Sequence, residues 1–408
     1  MKARLSKILV IAPVLLAIIV DYFGWGLVYP LVTAVLDDPQ KGFLPVGAAA
    51  STRDFYLSIA FLLYPLCLLF GASSLGDLSD IYGRKKVLCL CTAGIGVSFL
   101  CMGFGIAIGS FVLFLIGRAI SGFMAGTAPI AQAAVVDLSS PEDKPFNLAL
   151  LSVTFTIGLI LGPLIGTLLS DAHLVSWFGV VVPFFFSALL AFIASFWIQK
   201  KFVIQERPNP IKTFSFARPF ILFREAFQNL QLRHFCSTLF LFQFGVSLYI
   251  QTMLIFLNTR LQYTSTGLAS FWTIMGFGFV LGLILLKQLL KTSVHVSQMI
   301  FLSLIFQAII VIFSSFLTQE TSLWILSFLF SILNLFSYAL LMAVFSDAAA
   351  QESQGWVMGI WSAVIALAFI FGALCNNFIP WIGLEPLIFA GGVFLGLSAF
   401  VFRRSVKR

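Results

Sequence analysis

Twelve long apolar runs constrain this chain more than any other feature. They cover residues 8–36, 55–75, 87–108, 110–136, 146–169, 176–198, 235–257, 266–286, 294–316, 322–345, 355–378 and 384–402. Crossing a bilayer as a helix takes roughly 20 residues, and each run is about that long. With 60% hydrophobic residues, only 10% charged and a mean hydropathy of +1.05, the 408 residues have too little polar surface to cover a soluble globule. The expected fold class is therefore all-α, a polytopic membrane protein of twelve spans. The first run follows Lys2, Arg4 and Lys7 in the manner of a signal peptide, but no small-residue cleavage site follows and Asp21 interrupts it. It reads as a retained helix.

Charge is unevenly shared between the loops. Counted by loop parity, 20 of the 24 Lys and Arg fall on one side, while Lys41, Arg53 and Arg260 fall on the other. Basic loops stay in the cytoplasm, so both termini are expected on the inner face of the cell membrane. The same asymmetry, set against an anionic leaflet, accounts for the net charge of +8 and gives no reason to invoke nucleic acid. The expected organisation is a six-helix bundle at residues 1–198, a cytoplasmic linker at 199–233 and a second six-helix bundle at 234–408. The linker contains Pro208, Pro210 and Pro219; beyond them Phe220, Phe223, Phe227 and Leu230 recur at helical spacing, away from Arg224, Glu225 and Gln228. That spacing fits a short amphipathic helix on the membrane surface or a helical lead-in to span 7. The bundles echo each other at an offset of 210 residues: Asp137 and Glu142 recur as Asp347 and Glu352, and Ile160, Gly162 and Leu164 recur as Ile370, Gly372 and Leu374. Parallel repeats of this kind suit two bundles rocking about a central site.

Enzyme, metal and nucleotide chemistry find little footing. The six cysteines lie within or at the ends of apolar runs, and Cys89 and Cys91 diverge by about 200° on a helix, which favours packing over metal binding. His173, His234 and His295 are scattered. No G-x-x-x-x-G-K-[ST] phosphate loop occurs, so neither a cofactor nor ATP-driven pumping is expected. The longest outer loop, residues 37–54, holds no catalytic constellation.

Two charges, Asp21 in span 1 and Arg118 in span 4, lie well inside apolar runs. At 1.5 Å per residue, Asp21 sits about 20 Å above the inner end of its run and Arg118 about 12 Å below the outer end of its own. Both depths are central to outer, and buried membrane charges pair or face water, so the two are natural partners and candidates for proton coupling. Trp25 and Tyr29 share a helix face with Asp21, and Gly24 and Gly26 admit a close neighbour. An acid beside aromatic rings suits a cationic or aromatic solute; aromatic packing explains the rings equally well. In span 4, Arg118, Gly122 and Gly126 form a groove with a cation at its outer end; in span 5, Gly158, Gly162, Pro163 and Gly166 form a pliant packing surface. Between spans 2 and 3 lies G-D-L-S-D-I-Y-G-R-K-K, residues 76–86, whose two acids and three bases predict a tight aqueous loop.

These motifs, in this order and spacing, resemble the drug/proton antiporter group of the major facilitator superfamily, with the tetracycline exporters the most similar. The resemblance rests almost wholly on spans 1–6, while the second half agrees in layout. It implies that Gly158, Gly162, Pro163 and Gly166 mark an antiporter, that Arg118 assists proton transfer, and that Asp80 and Arg84, framed by Gly76 and Gly83, form a gate. Asp80 is then expected beside the start of span 11 near Gly355, with Arg84 meeting Asp137. The chain departs from the family pattern at Ile81, Thr167 and Lys144, and its second half lacks the intramembrane acid and His of the tetracycline exporters. In their place stand neutral polar stripes, Gln243, Ser247 and Gln251 in span 7 and Asn334 and Tyr338 in span 10, suited to hydrogen-bonding a solute or to holding helices together.

The sequence thus points to a proton-coupled secondary transporter that works by alternating access and exports a small amphipathic solute; the alternative is a proton-coupled importer of a nutrient or siderophore. Its expected partners are the small-molecule substrate, protons and the lipid bilayer, and a monomer is expected. A membrane receptor or scaffold would have no use for buried Asp21 and Arg118. The loop charges predict that a cysteine introduced at Gln205 stays unlabelled when intact cells are treated with an impermeant thiol reagent; labelling from outside would reverse the assigned topology.

Overall fold

The computed structural model describes residues 2–37, 43, 50–140, 143–170, 175–204, 221, 224, 228, 230–263, 265–291, 294–347 and 354–406. The helices are α1 (Lys2–Asp37), α2 (Ala50–Tyr82), α3 (Arg84–Ala107), α4 (Phe111–Met124), α5 (Thr127–Leu138), α6 (Lys144–Ser170) and α7 (Val182–Lys201). They continue as α8 (Leu230–Thr259), α9 (Ser265–Leu289), α10 (Val296–Ser314), α11 (Glu320–Asp347), α12 (Gln354–Cys375), α13 (Ile379–Ile382) and α14 (Leu384–Val406), with a 3₁₀ turn at Asn376–Phe378. Among the described residues, twelve stretches are long and apolar enough to cross a membrane, and α4 with α5 makes the fourth. The amphipathic helix expected over residues 220–230 lies largely outside the described residues.

Two stretches depart from the sequence expectation. Span 4 is not one helix: it breaks at Ala125 and Gly126, because Pro129 has no N–H to offer the Ala125 carbonyl. The ladder tightens there instead, with Ala125 N donating to both Ser121 O (3.0 Å) and Gly122 O (3.3 Å). The charged stretch 76–86 is not an aqueous loop either. Helix α2 runs through it to Tyr82, α3 starts at Arg84, and Gly83 alone makes the corner. Gly83 does so with φ +96°, a conformation that costs a residue with a Cβ far more than glycine. Asp77, Ser79 and Asp80 are consequently buried in protein rather than bathed in water. The charge of Asp80 is matched locally: Arg84 Nη1 lies 3.0 Å from Asp80 Oδ1 and donates to Ser79 Oγ at 3.1 Å.

The chain forms two compact units, Met1–Ala134 with Thr154–Arg218, and Val135–Val153 with Pro219–Arg408. In the first, Phe23 and Leu27 of α1, Phe99 and Met102 of α3, Phe114 of α4 and Phe184 of α7 build a continuous core. Hydrocarbon offers no hydrophobic drive for helices to associate, so close packing through small residues must hold them together. Glycine supplies it: a Cβ on Gly158 would stand 2.7 Å from Ile19 O, and one on Gly162 would overlap the Phe23 carbonyl, so α6 lies against the α1 backbone. A Cβ on Gly71 would likewise meet the Phe123 carbonyl, and one on Gly122 the Tyr64 carbonyl, which puts α2 and α4 in backbone contact. In the second unit Gly245 of α8 faces Gly391 of α14, with a Cβ on Gly245 falling 2.6 Å from Gly391 O.

Overpacking a site of this kind costs about 1–3 kcal/mol. Gly162→Ala is expected to lower the thermal stability of the purified protein by that order, while Gly179→Ala, where an added Cβ meets nothing within 4 Å, leaves it unchanged. Equal melting curves for the two variants would show that the α1–α6 contact is not tight.

Candidate functional site

Asp21 on α1 is 3% exposed and Arg118 on α4 is 1% exposed. They meet on a third residue, Tyr64 of α2. The Tyr64 side chain hydrogen-bonds the Asp21 carboxylate, while Asp21 Oδ1 has no hydrogen-bond partner. The Arg118 guanidinium carbon stands 5.0 Å from the centroid of the Tyr64 ring, and its Nε donates to Ala60 O at 3.0 Å. A cation over an aromatic face is attracted by the ring quadrupole, so Tyr64 contacts both charged residues. Tyr64 belongs to none of the motifs that mark the two charges in the sequence. Its signal was a polar aromatic directly before Pro65, in the middle of an apolar run.

The glycines and proline assigned to span 5 frame the acid from the other side. Gly158 and Gly162 lie on Ile19 to Phe23, Gly166 packs toward Leu27, and the Pro163 ring would stand 3.1 Å from a Cβ on Gly26. This glycine-and-proline surface of α6 thus receives α1 before and after Asp21. Thr167 turns its hydroxyl back to Pro163 O at 2.7 Å. Trp25 is half-buried one turn beyond Asp21; the Tyr29 side chain lies outside the described residues.

At the other end of α2, Gly76 and Gly83 are buried around the Asp80–Arg84 pair, and Asp137 is exposed near the end of α5. In the second unit, Lys144 Nζ at the start of α6 lies 2.6 Å from Asp347 Oδ1 at the end of α11. Lys287 Nζ of α9 stands 5.5 Å from the ring of Phe146. Residues 144–146 are therefore held to the ends of both α9 and α11.

The polar stripes of the second unit have distinct environments. Gln243 and Ser247 are buried on α8, and the Gln251 amide donates to Ser247 Oγ at 2.5 Å and accepts from Asn376 Nδ2 at 3.1 Å. Thr252 Oγ1 also donates to Asn376 Oδ1 at 3.3 Å, so this stripe fastens α8 to the 3₁₀ turn after α12. A Cβ on Gly372 would overlap Ser247 Oγ, which leaves no gap between α8 and α12. On α11, Asn334 is buried with Oδ1 unpartnered, whereas the Tyr338 hydroxyl accepts from Trp361 Nε1 at 3.2 Å. Trp361 and Asn376 were not singled out from sequence; each is a polar group within an apolar run, visible only once its partner is known.

Comparison with known proteins agrees with this architecture. A family model described as Major Facilitator Superfamily matches residues 14–373. Multidrug resistance protein 2 of Bacillus subtilis is 26% identical over 386 residues, 93% of this chain and 90% of the relative. The class H tetracycline resistance protein of Pasteurella multocida is 29% identical over 178 residues, 43% of this chain and 40% of that protein. Among solved structures, the human organic anion transporter MFSD10 aligns with a TM-score of 0.80 at 20% identity, covering 97% of this chain and 99% of its own. The proton:xylose symporter XylE aligns with a TM-score of 0.76 at 14% identity, covering 98% and 95%. With the match spanning most of its length, this chain belongs to the major facilitator superfamily and is a multi-pass membrane transporter of small molecules, not an enzyme.

Proposed function

We propose that the protein is a proton-coupled exporter of small amphipathic compounds, with Asp21 as the proton carrier and Arg118 tuning it. The observation that carries this reading is the buried carboxylate whose Oδ1 has no donor. A bare oxygen in the protein interior can take up a proton, while the Tyr64 hydroxyl bonds the carboxylate. A helix movement that admits water or alters these contacts would switch Asp21 between its two forms. The neutral form lets the empty carrier return, and solute arriving from the cytoplasm promotes proton release. Each proton entering contributes about 2.3 kcal/mol per 100 mV if one charge moves, which is enough to drive uphill exchange without ATP.

Export is supported by the α6 surface against α1 and by relatives named for multidrug and tetracycline resistance, since carrying a toxic compound outward confers resistance. The basic loops favour an orientation with both termini in the cytoplasm of an inner membrane. In the same reading, the Asp80–Arg84 pair belongs to the inner gate.

The test uses proteoliposomes with ethidium as probe. Ethidium and protons are expected to move in opposite directions; movement together would indicate an importer. Asp21→Asn is expected to abolish ethidium accumulation driven by a pH step, at least tenfold below wild type, with Asp21→Glu keeping part of it. Continued accumulation by a folded Asp21→Asn protein would place the carrier elsewhere. Asp80→Asn is expected to slow exchange several-fold while ethidium binding stays within about twofold, as befits a gate. Lost binding with unchanged exchange would argue against that role.

A further inference from the structure

Tyr64 holds a position that neither charge could fill alone. It is 8% exposed, its hydroxyl reaches Asp21 of α1, and its ring carries Arg118 of α4. Its backbone is fixed as well, since a Cβ on Gly122 would overlap the Tyr64 carbonyl and one on Gly71 the Phe123 carbonyl. Pro65, the next residue, has no N–H and interrupts the helix ladder at this level. One turn before Tyr64, Ala60 O accepts the second contact of Arg118.

A phenol can donate a hydrogen bond to a carboxylate and accept one from a carboxylic acid. Tyr64 can therefore stay bonded to Asp21 in both protonation states and, unlike the Arg118 guanidinium, which only donates, can accept the acid's own proton. We infer that Tyr64 is the positioning residue through which the Arg118 cation acts on the protonation of Asp21. The inference rests on Asp21 being the proton carrier. Among the described residues, Cys91 of α3 also interacts with Asp21, and Cys67 of α2 with Arg118; α6 presents Gly158 and Gly162, which do not titrate.

The test is infrared titration of the purified protein in nanodiscs, following the carboxylic acid band that Asp21→Asn removes. Tyr64→Phe keeps the ring and its packing but deletes the hydroxyl. Its band is expected to titrate with a midpoint displaced by about one pH unit, a tenfold change in proton affinity. Tyr64→Leu, which also removes the platform under Arg118, is expected to shift the midpoint further and to cut ethidium exchange at least tenfold. Should Tyr64→Phe fail to fold, fluorotyrosine introduced at position 64 keeps the shape and changes only the acidity of the phenol; a displaced midpoint is again expected. A wild-type protein in which Asp21 does not titrate would overturn the proton-carrier reading. A wild type that titrates, with the variant curves superimposed on it, would overturn the role of Tyr64 alone.

Discussion

Backbone-to-backbone contact between helices is the constraint on which the site depends. In lipid, apolar side chains gain little by leaving their surroundings, so helices adhere where small residues let main chains touch. Gly158 and Gly162 bring α6 onto α1 around Asp21, and Gly71 and Gly122 bring α2 and α4 together around Tyr64. The charged groups ride on these contacts. Arg118 can reach the Ala60 carbonyl and the Tyr64 ring together because Gly122, one turn along from Arg118, has no side chain to hold α4 away from α2.

This explains which parts of the protein could be read in advance. The span count was legible because apolar length alone decides it, and Asp21 and Arg118 stood out because an uncompensated charge in a membrane is costly. Tyr64 did not stand out: in a chain with 47 Phe and 8 Tyr, one more aromatic residue carries no message until its partners on α1 and α4 are known. The stretch 76–86 misled for a physical reason. Its charges are spaced so that Asp80 and Arg84 pair one helical turn apart, and Gly83 turns the chain within a single residue, so what composition marks as a water-exposed loop is a helix end with its acids buried.

The echo at 210 residues gains meaning from the same contacts. Gly162 of α6 lies on α1, and its counterpart Gly372 of α12 lies on α8; within each unit the fifth span is thus pressed onto the first by a glycine at the same repeat position. What the repeat does not carry over is the chemistry. Where α1 offers Asp21 beside that contact, α8 offers Ser247 and Gln251, neutral groups that hydrogen-bond to each other and to Asn376. The repeat therefore preserves the scaffold and leaves an ionisable group beside the contact in the first unit.

That asymmetry bears on how a carrier can respond to both a proton and a solute. A neutral amide network holds its shape at any physiological pH, because none of its members titrates there. An acid bonded through a tyrosine to a buried cation can change its charge, and with it the electrostatic cost of its surroundings. The α1 residues that lie on the glycine face of α6, among them Ile19 and Phe23, flank Asp21 in the chain, so on the proposed role of Asp21 a change in its charge would act next to a close backbone contact. Packed interiors of this kind switch between discrete arrangements rather than deforming smoothly. A proton bound at Asp21 would thus be felt as a change in helix packing before it is felt by any distant group.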